Sequence, residues 1–192
     1  MTPRPNAPPP PSPSPMSLAA QLEARVAAEG PLSIAEFMTA CLHDPESGYY
    51  ATRPALGPEG DFMTAPLVSQ MFGELIGLWA VETWLRLGRP EPFRLVELGP
   101  GDGALMADAL RAARVVPGFH EAARLWLVET SAPLRRLQDL KLGVYEPGWA
   151  DSLEGVGGEG PLIVIGNEIL DCLPARQFVS LGAGAGRRSG WD

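Results

Sequence analysis

Apolar residues recur along this chain first at the spacing of helices and then at that of buried strands. Leu18, Leu22 and Val26 stand four apart after Ser17, and Gly30-Pro31 stops the run. Ser33-Ile34-Ala35-Glu36 is a capping box. Behind it Ile34, Phe37, Met38, Cys41 and Leu42 share one face of a second helix, which makes Cys41 a core residue rather than a nucleophile. Asp44-Pro45-Glu46-Ser47-Gly48 is turn chemistry, and residues 51–66 read as an ordered loop rich in glycine and proline. A long helix is expected from about Pro66 to Leu87, with Val68, Met71, Phe72, Leu75, Ile76 and Trp79 on its apolar face. Gly73 and Gly77, four apart, admit the close approach of another backbone.

The period then changes. Phe93–Leu98 reads as a buried strand, followed by a glycine-rich turn and a helix over Ala104–Val115. Leu125–Val128 is a second strand and Pro133–Leu142 a second helix, with Pro133 in a tolerated first-turn position. A short third strand region begins at Val144-Tyr145 near Trp149, a loop fills 155–161, and Leu162–Ile165 is a fully apolar fourth strand. This alternation predicts an α/β fold with a doubly wound, mostly parallel sheet, whose ligand binds at the carboxyl ends of the strands.

Composition narrows the class. The net charge of −8 argues against a surface that holds a nucleic-acid backbone. Two cysteines outside any C-x-x-C pair and two histidines argue against a disulfide framework or a metal site, so none is expected. No apolar run reaches the ~18 residues of a membrane span. Eight of the 21 prolines fall within the first 15 residues. That segment reads as a disordered, polyproline-II-like tail rather than a signal peptide. The expected organisation is a tail over 1–16, a helical region over 17–90, an α/β core over 91–181, and an atypical, flexible, Gly/Ala/Arg-rich end over 182–192.

Three constellations carry chemistry. Glu97-Leu98-Gly99-Pro100-Gly101-Asp102-Gly103 joins a strand to a helix, and its glycines let the backbone approach a ligand. The pattern also fits a dinucleotide fingerprint loosely. Glu97 separates the two readings: a carboxylate there can face an ammonium group, which S-adenosylmethionine carries and a dinucleotide lacks. Glu129 follows the second strand, placed either for ribose hydroxyls or as a charge at a helix start. Asn167, Glu168 and Asp171 follow the fourth strand, where they can orient a cationic or nucleophilic acceptor, or merely favour the next helix start. A fourth segment, Gly60-Asp61-Phe62-Met63-Thr64, mixes a carboxylate, an aromatic and a hydroxyl before a helix that Thr64 could simply cap.

His43-Asp44-Pro45 with Gly48-Tyr49-Tyr50, Gly60-Asp61-Phe62 with Thr64-Ala65-Pro66, Glu97–Gly101, Glu129-Thr130-Ser131, and Asn167-Glu168 with Asp171, Leu173 and Pro174 occur here in one order. That order resembles the MidA family of class I S-adenosylmethionine-dependent methyltransferases. The resemblance implies methylation of arginine in a protein substrate, with a subunit of respiratory complex I as the target class. It implies a cytoplasmic protein in bacteria and a matrix protein in mitochondria. S-adenosylmethionine is the implied cofactor, with no nucleic-acid or membrane partner. Glu97, Gly99, Gly101 and Gly103 are expected to hold its methionine part, Glu129 the ribose, and Trp149 or Asp151 the adenine. Asn167, Glu168 and Asp171 are expected to orient the acceptor, and Asp61, Phe62 and Thr64 to form a lid or substrate wall. Family members run well past Asp192, so the chain is expected to be the front half of a methyltransferase truncated at its carboxyl end. Two other readings remain: a nucleotide-dependent oxidoreductase on the same sheet, and a non-catalytic assembly factor that keeps the cofactor fold.

Overall fold

The computed structural model describes residues 16–52, 66, 69–179 and 188–189, in two compact units. Of these residues, one unit comprises 16–48 with 174–179 and 188–189, the other 49–52, 66 and 69–173.

In the first unit, α1 (Leu18–Glu29) is capped by Ser17, which accepts from the Ala20 amide. The expected capping box opens α2 (Ile34–His43): Ser33 accepts from the Glu36 amide at 3.2 Å, and Glu36 accepts from the Ser33 amide at 2.9 Å. Arg25 ties the two helices through Glu36 at 2.7 Å. The apolar face read into α2 is only half covered, because neither helix has a buried residue and Phe37 is exposed. Cys41 is half-buried. Asp44 closes the next turn by accepting from the Glu46 and Ser47 amides, and Gly48 has no room for a Cβ against the Asp44 backbone. Phe178–Val179 pairs antiparallel with Arg188–Ser189.

The second unit opens with a single turn, α3 (Tyr49–Thr52), and a long helix, α4 (Gln70–Arg86). It continues as β1 (Phe93–Leu98), α5 (Ala104–Ala113), α6 (Phe119–Ala122), β2 (Ala123–Val128), α7 (Ala132–Leu142), β3 (Gly148–Ala150) and β4 (Leu162–Gly166). The four strands form one parallel sheet in the order β3-β2-β1-β4. This is the doubly wound arrangement expected, since each crossover returns the chain parallel to its last strand. The third strand starts later than expected. Gly143–Tyr145 is instead a turn of 3-10 helix, and Glu146 in a left-handed conformation with Pro147 separates it from β3.

The larger core lies on one sheet face, where Phe93, Leu95, Leu125, Leu127, Ile163 and Ile165 meet α4 and α5. Trp84, Phe93 and Phe119 form an aromatic cluster there, with Trp84 and Phe119 edge to face at 5.6 Å. The face that α4 buries is not the one its large residues mark. Gly73, Gly77, Ala80, Val81 and Trp84 are buried, with Phe72 and Ile76 partly so. Met71, Leu75 and Trp79 are more than half exposed. The two glycines decide this. A Cβ on Gly73 would lie 2.6 Å from Asp108 Cβ, and one on Gly77 would lie 2.6 Å from Ala109 Cα, so α4 sits directly on the backbone of α5. Backbone proximity recruits the small-residue face and turns the larger side chains outward.

Candidate active site

The sheet and its helices aim a set of backbone and side-chain groups at the carboxyl end of β1. After β1 the chain turns through Gly99, Gly101 and Gly103, all with positive φ (60°, 56° and 82°). Gly99 and Gly103 have no easy alternative. A Cβ on Gly99 would strike Ile169 Cδ1, and one on Gly103 would lie 3.2 Å from Leu142 Cδ1. Asp102 starts α5 by accepting from the Ala104 amide at 3.0 Å and pairs with Lys141 at 2.5 Å.

A cavity of about 290 Å³ opens above this turn, walled by Glu97, Gly99, Gly101, Asn167, Glu168 and Asp171 among others. Residues far apart in the sequence therefore meet because β1 and β4 are neighbours in the sheet. Glu97 is 2% exposed, and its Oε2 has no hydrogen-bond partner. Burial, with the Asp102 carboxylate as a smaller cause, pushes its carboxyl from the ordinary 4.5 up to about 8. Glu168 holds a left-handed backbone at φ 54°, which costs a non-glycine residue about 1–2 kcal/mol.

The remaining expected residues stand one strand away. Glu129 follows β2 and accepts from the Ser131 amide at 2.7 Å. Its carboxyl is raised chiefly by burial, with the Ser131 and Thr130 amides, Gln138 and Arg135 acting against the rise. Trp149, on β3, is half-buried and donates its indole N–H to Gln138 at 2.9 Å. Asp151 is exposed and paired with Arg135 at 2.7 Å. Arg135 also donates to the Glu129 carbonyl through Nε at 2.7 Å and through Nη2. Glu129, Trp149 and Asp151 thus form a second group along β2 and β3, outside the walls of the cavity itself. Asp61, Phe62 and Thr64 lie outside the described residues.

Three contributors escaped the sequence reading. Tyr50 stands in the sequence only as part of the Gly48-Tyr49-Tyr50 motif with no role assigned, yet it lines the cavity with its hydroxyl 2.9 Å from the Cys172 thiol. Burial and Cys172 raise the Tyr50 phenol well above its usual range. Cys172 lines the same wall, and its one signal was its place directly after Asp171. Gln138 is the third, and no motif marks it. Among the described residues no group of three or more His, Cys, Asp or Glu is arranged to hold a metal, and no helix is long and apolar enough to cross a membrane.

A parallel sheet ordered 3-2-1-4, a glycine turn after its first strand and acidic residues at the ends of its first two strands define a class I methyltransferase core. A family model for S-adenosyl-L-methionine-dependent methyltransferases matches residues 75–190, and the chain belongs to that family. Similar proteins include the mitochondrial protein arginine methyltransferase NDUFAF7 homolog of Drosophila melanogaster, 38% identical across 84% of this chain and 42% of that protein. The human mitochondrial protein arginine methyltransferase NDUFAF7 is 34% identical across 80% of this chain and 40% of its own length. A crystal structure of a COG1565 superfamily member from Burkholderia thailandensis, bound to S-adenosyl-homocysteine, superposes with a TM-score of 0.65 at 28% identity, over 83% of this chain and 42% of that one. The chain spans about two fifths of the length of these relatives.

Proposed function

We propose that this chain carries the cofactor-binding part of a methyltransferase that moves a methyl group from S-adenosylmethionine to an arginine of a protein. The observation that carries the reading is the orphaned Glu97 oxygen in the wall beside the glycine turn. A buried carboxylate without a partner is costly unless a cation arrives to meet it. The ammonium of the cofactor's methionine part is such a cation, whereas a dinucleotide brings phosphates that Glu97 would repel. The same observation disfavours the oxidoreductase.

When bound, the cofactor supplies an electrophilic methyl group on a sulfonium. Everything else falls to the chain's own residues, whose task is alignment and exclusion of water. The backbone at Gly99, Gly101 and Gly103 would receive the methionine part beside Glu97. Glu129 would accept from the ribose hydroxyls, and Trp149 and Asp151 would flank the adenine. Asn167, Glu168 and Asp171 would face the acceptor, where paired carboxylates suit the fork of a guanidinium. The relatives' names support arginine of a protein as the acceptor, and the MidA resemblance supports a respiratory complex I subunit as that protein.

Calorimetry tests the first half. S-adenosylmethionine should bind and NAD and NADP should not. Glu129→Ala should weaken binding of S-adenosylmethionine by roughly 10- to 100-fold, the loss that follows removal of a charged hydrogen-bond acceptor. Unimpaired binding in that variant would refute the ribose assignment. Tritiated-methyl transfer to arginine peptides tests the second half, and label on lysine alone would overturn it.

A further inference from the structure

The side chain of Gln138 is the point at which the two groups of site residues join. It is 0% exposed, a rare state for a glutamine. Its Nε2 donates to the Gly101 carbonyl at 2.7 Å and reaches Glu129 Oε2 at 3.4 Å. Its Oε1 accepts from the Trp149 indole at 2.9 Å. One orientation of the amide satisfies this set. Turned over, it would set oxygen against a carbonyl and a carboxylate, and N–H against N–H. A Cβ on Gly103 would lie 3.5 Å from Gln138 Cα, so the backbone of α7 also abuts the turn. A single amide therefore contacts the glycine turn after β1, the carboxylate after β2 and the indole on β3.

We propose that Gln138 is a positioning residue for cofactor recognition. It locks the glycine turn, Glu129 and Trp149 in one register, so that the methionine, ribose and adenine contacts form together. The proposal rests on Glu129 being the ribose ligand. Gln138 need not touch the cofactor. Its effect passes through Glu129, whose carboxylate it orients from one side while the Ser131 amide holds the other oxygen at 2.7 Å. Methionine in its place would keep the volume and remove every one of these bonds, leaving the indole N–H and the Gly101 carbonyl without their partner.

The test measures binding of S-adenosylhomocysteine, and of an analogue lacking the ribose hydroxyls, to the wild-type protein, Gln138→Met, Trp149→Phe and Glu129→Ala. Gln138→Met should bind S-adenosylhomocysteine about tenfold more weakly. The penalty for deleting the ribose hydroxyls should shrink in the same variant, so that the two losses combined fall short of their product. A loss from general softening of the fold would multiply with hydroxyl deletion. Trp149→Phe keeps the aromatic body and removes one bond to Gln138. It should shrink the hydroxyl penalty in the same direction, and it carries the test if Gln138→Met does not fold. Weak binding by Glu129→Ala with wild-type behaviour in both other variants would overturn the proposal and leave the ribose assignment standing. Wild-type binding by Glu129→Ala would remove the ribose assignment itself, and the role of Gln138 with it. Multiplicative losses would reduce Gln138 to a structural residue and also overturn the proposal.

Discussion

Glu97→Gln should make the ligand-free protein more stable at pH 8 and a much poorer binder of S-adenosylmethionine. In the folded chain the Glu97 carboxyl is held near 8 by burial and by Asp102, against an ordinary 4.5. Between those values the folded state keeps a proton that the unfolded chain has released. Stability is then highest below about pH 4.5 and falls as pH rises through 8, by up to about 1.4 kcal/mol per pH unit from this one group. Glutamine carries no charge at any pH and removes that slope. Glu129, also raised by burial, contributes in the same direction and stays in the variant. Wild type and variant should therefore unfold alike near pH 5 and separate by several degrees at pH 8. Affinity should move the opposite way. Removing one partner of a buried charge pair costs about 2–5 kcal/mol, so binding should weaken by roughly 30-fold or more. Wild-type affinity should itself rise from pH 6 to 8, with release of a proton that calorimetry in buffers of different ionisation enthalpy would detect. Equal pH slopes for the stability of the two proteins would contradict the origin assigned to the raised carboxyl.

Gly77→Leu should unfold the second unit or nearly so. Glycine inside a helix ordinarily costs about 1 kcal/mol relative to alanine, so replacing it would be expected to help. Here a Cβ would meet the Ala109 carbonyl oxygen and lie 2.6–2.7 Å from other Ala109 backbone atoms. Backbone cannot rotate aside as a side chain can. Overpacking costs about 1–3 kcal/mol even where neighbours can shift, and a leucine must drive the two helices apart. Loss of more than about 3 kcal/mol would remove much of the 5–15 kcal/mol typical of a domain. Leu75→Ala is the contrast. Leu75 is 59% exposed, and its truncation should change stability by no more than about 0.5 kcal/mol. Urea titrations of both variants check the pair. A larger loss from Leu75→Ala than from Gly77→Leu would reverse the face assigned to α4.

The strands and the turns were legible in the sequence because their signals are local. Phe93–Leu98 carries only Arg94 and Glu97 among apolar residues and packs on both faces, and Leu162–Ile165 is wholly apolar, although only Ile163 and Ile165 of that end strand are buried while Leu162 and Val164 are exposed. The positions of Glu97, Glu129 and Asn167 followed from where those strands end. The face of α4 was misread because hydrophobic size and burial part company where two backbones touch. Its two glycines were visible, but their partner on α5 was not. Gln138 was illegible for a related reason. On α7 the leucines recur at 134, 137 and 140, and Leu140 is 83% exposed while Gln138 is fully buried. A polar residue inside an apolar environment is justified only by its partners, and all three of these lie in other elements. Tyr50 likewise depends on Cys172, 122 positions away.

The wedging of Gly103 against Leu142 and Gln138 also bears on how fast and at what entropic cost a ligand can be taken up. The turn is braced by α7 on one side, and the helix it opens is pinned by α4 on the other. A binding loop that is already ordered loses little conformational freedom on association, so more of the contact energy remains as affinity. Amide protons of Gly103 and of the first turn of α5 should exchange as slowly as those of β1 before any ligand is added, and their protection should change little on binding S-adenosylhomocysteine. Hydrogen-exchange mass spectrometry of the free and bound protein would report this directly. Fast exchange in the free protein that slows on binding would mean that the ligand, rather than the packing, orders the turn.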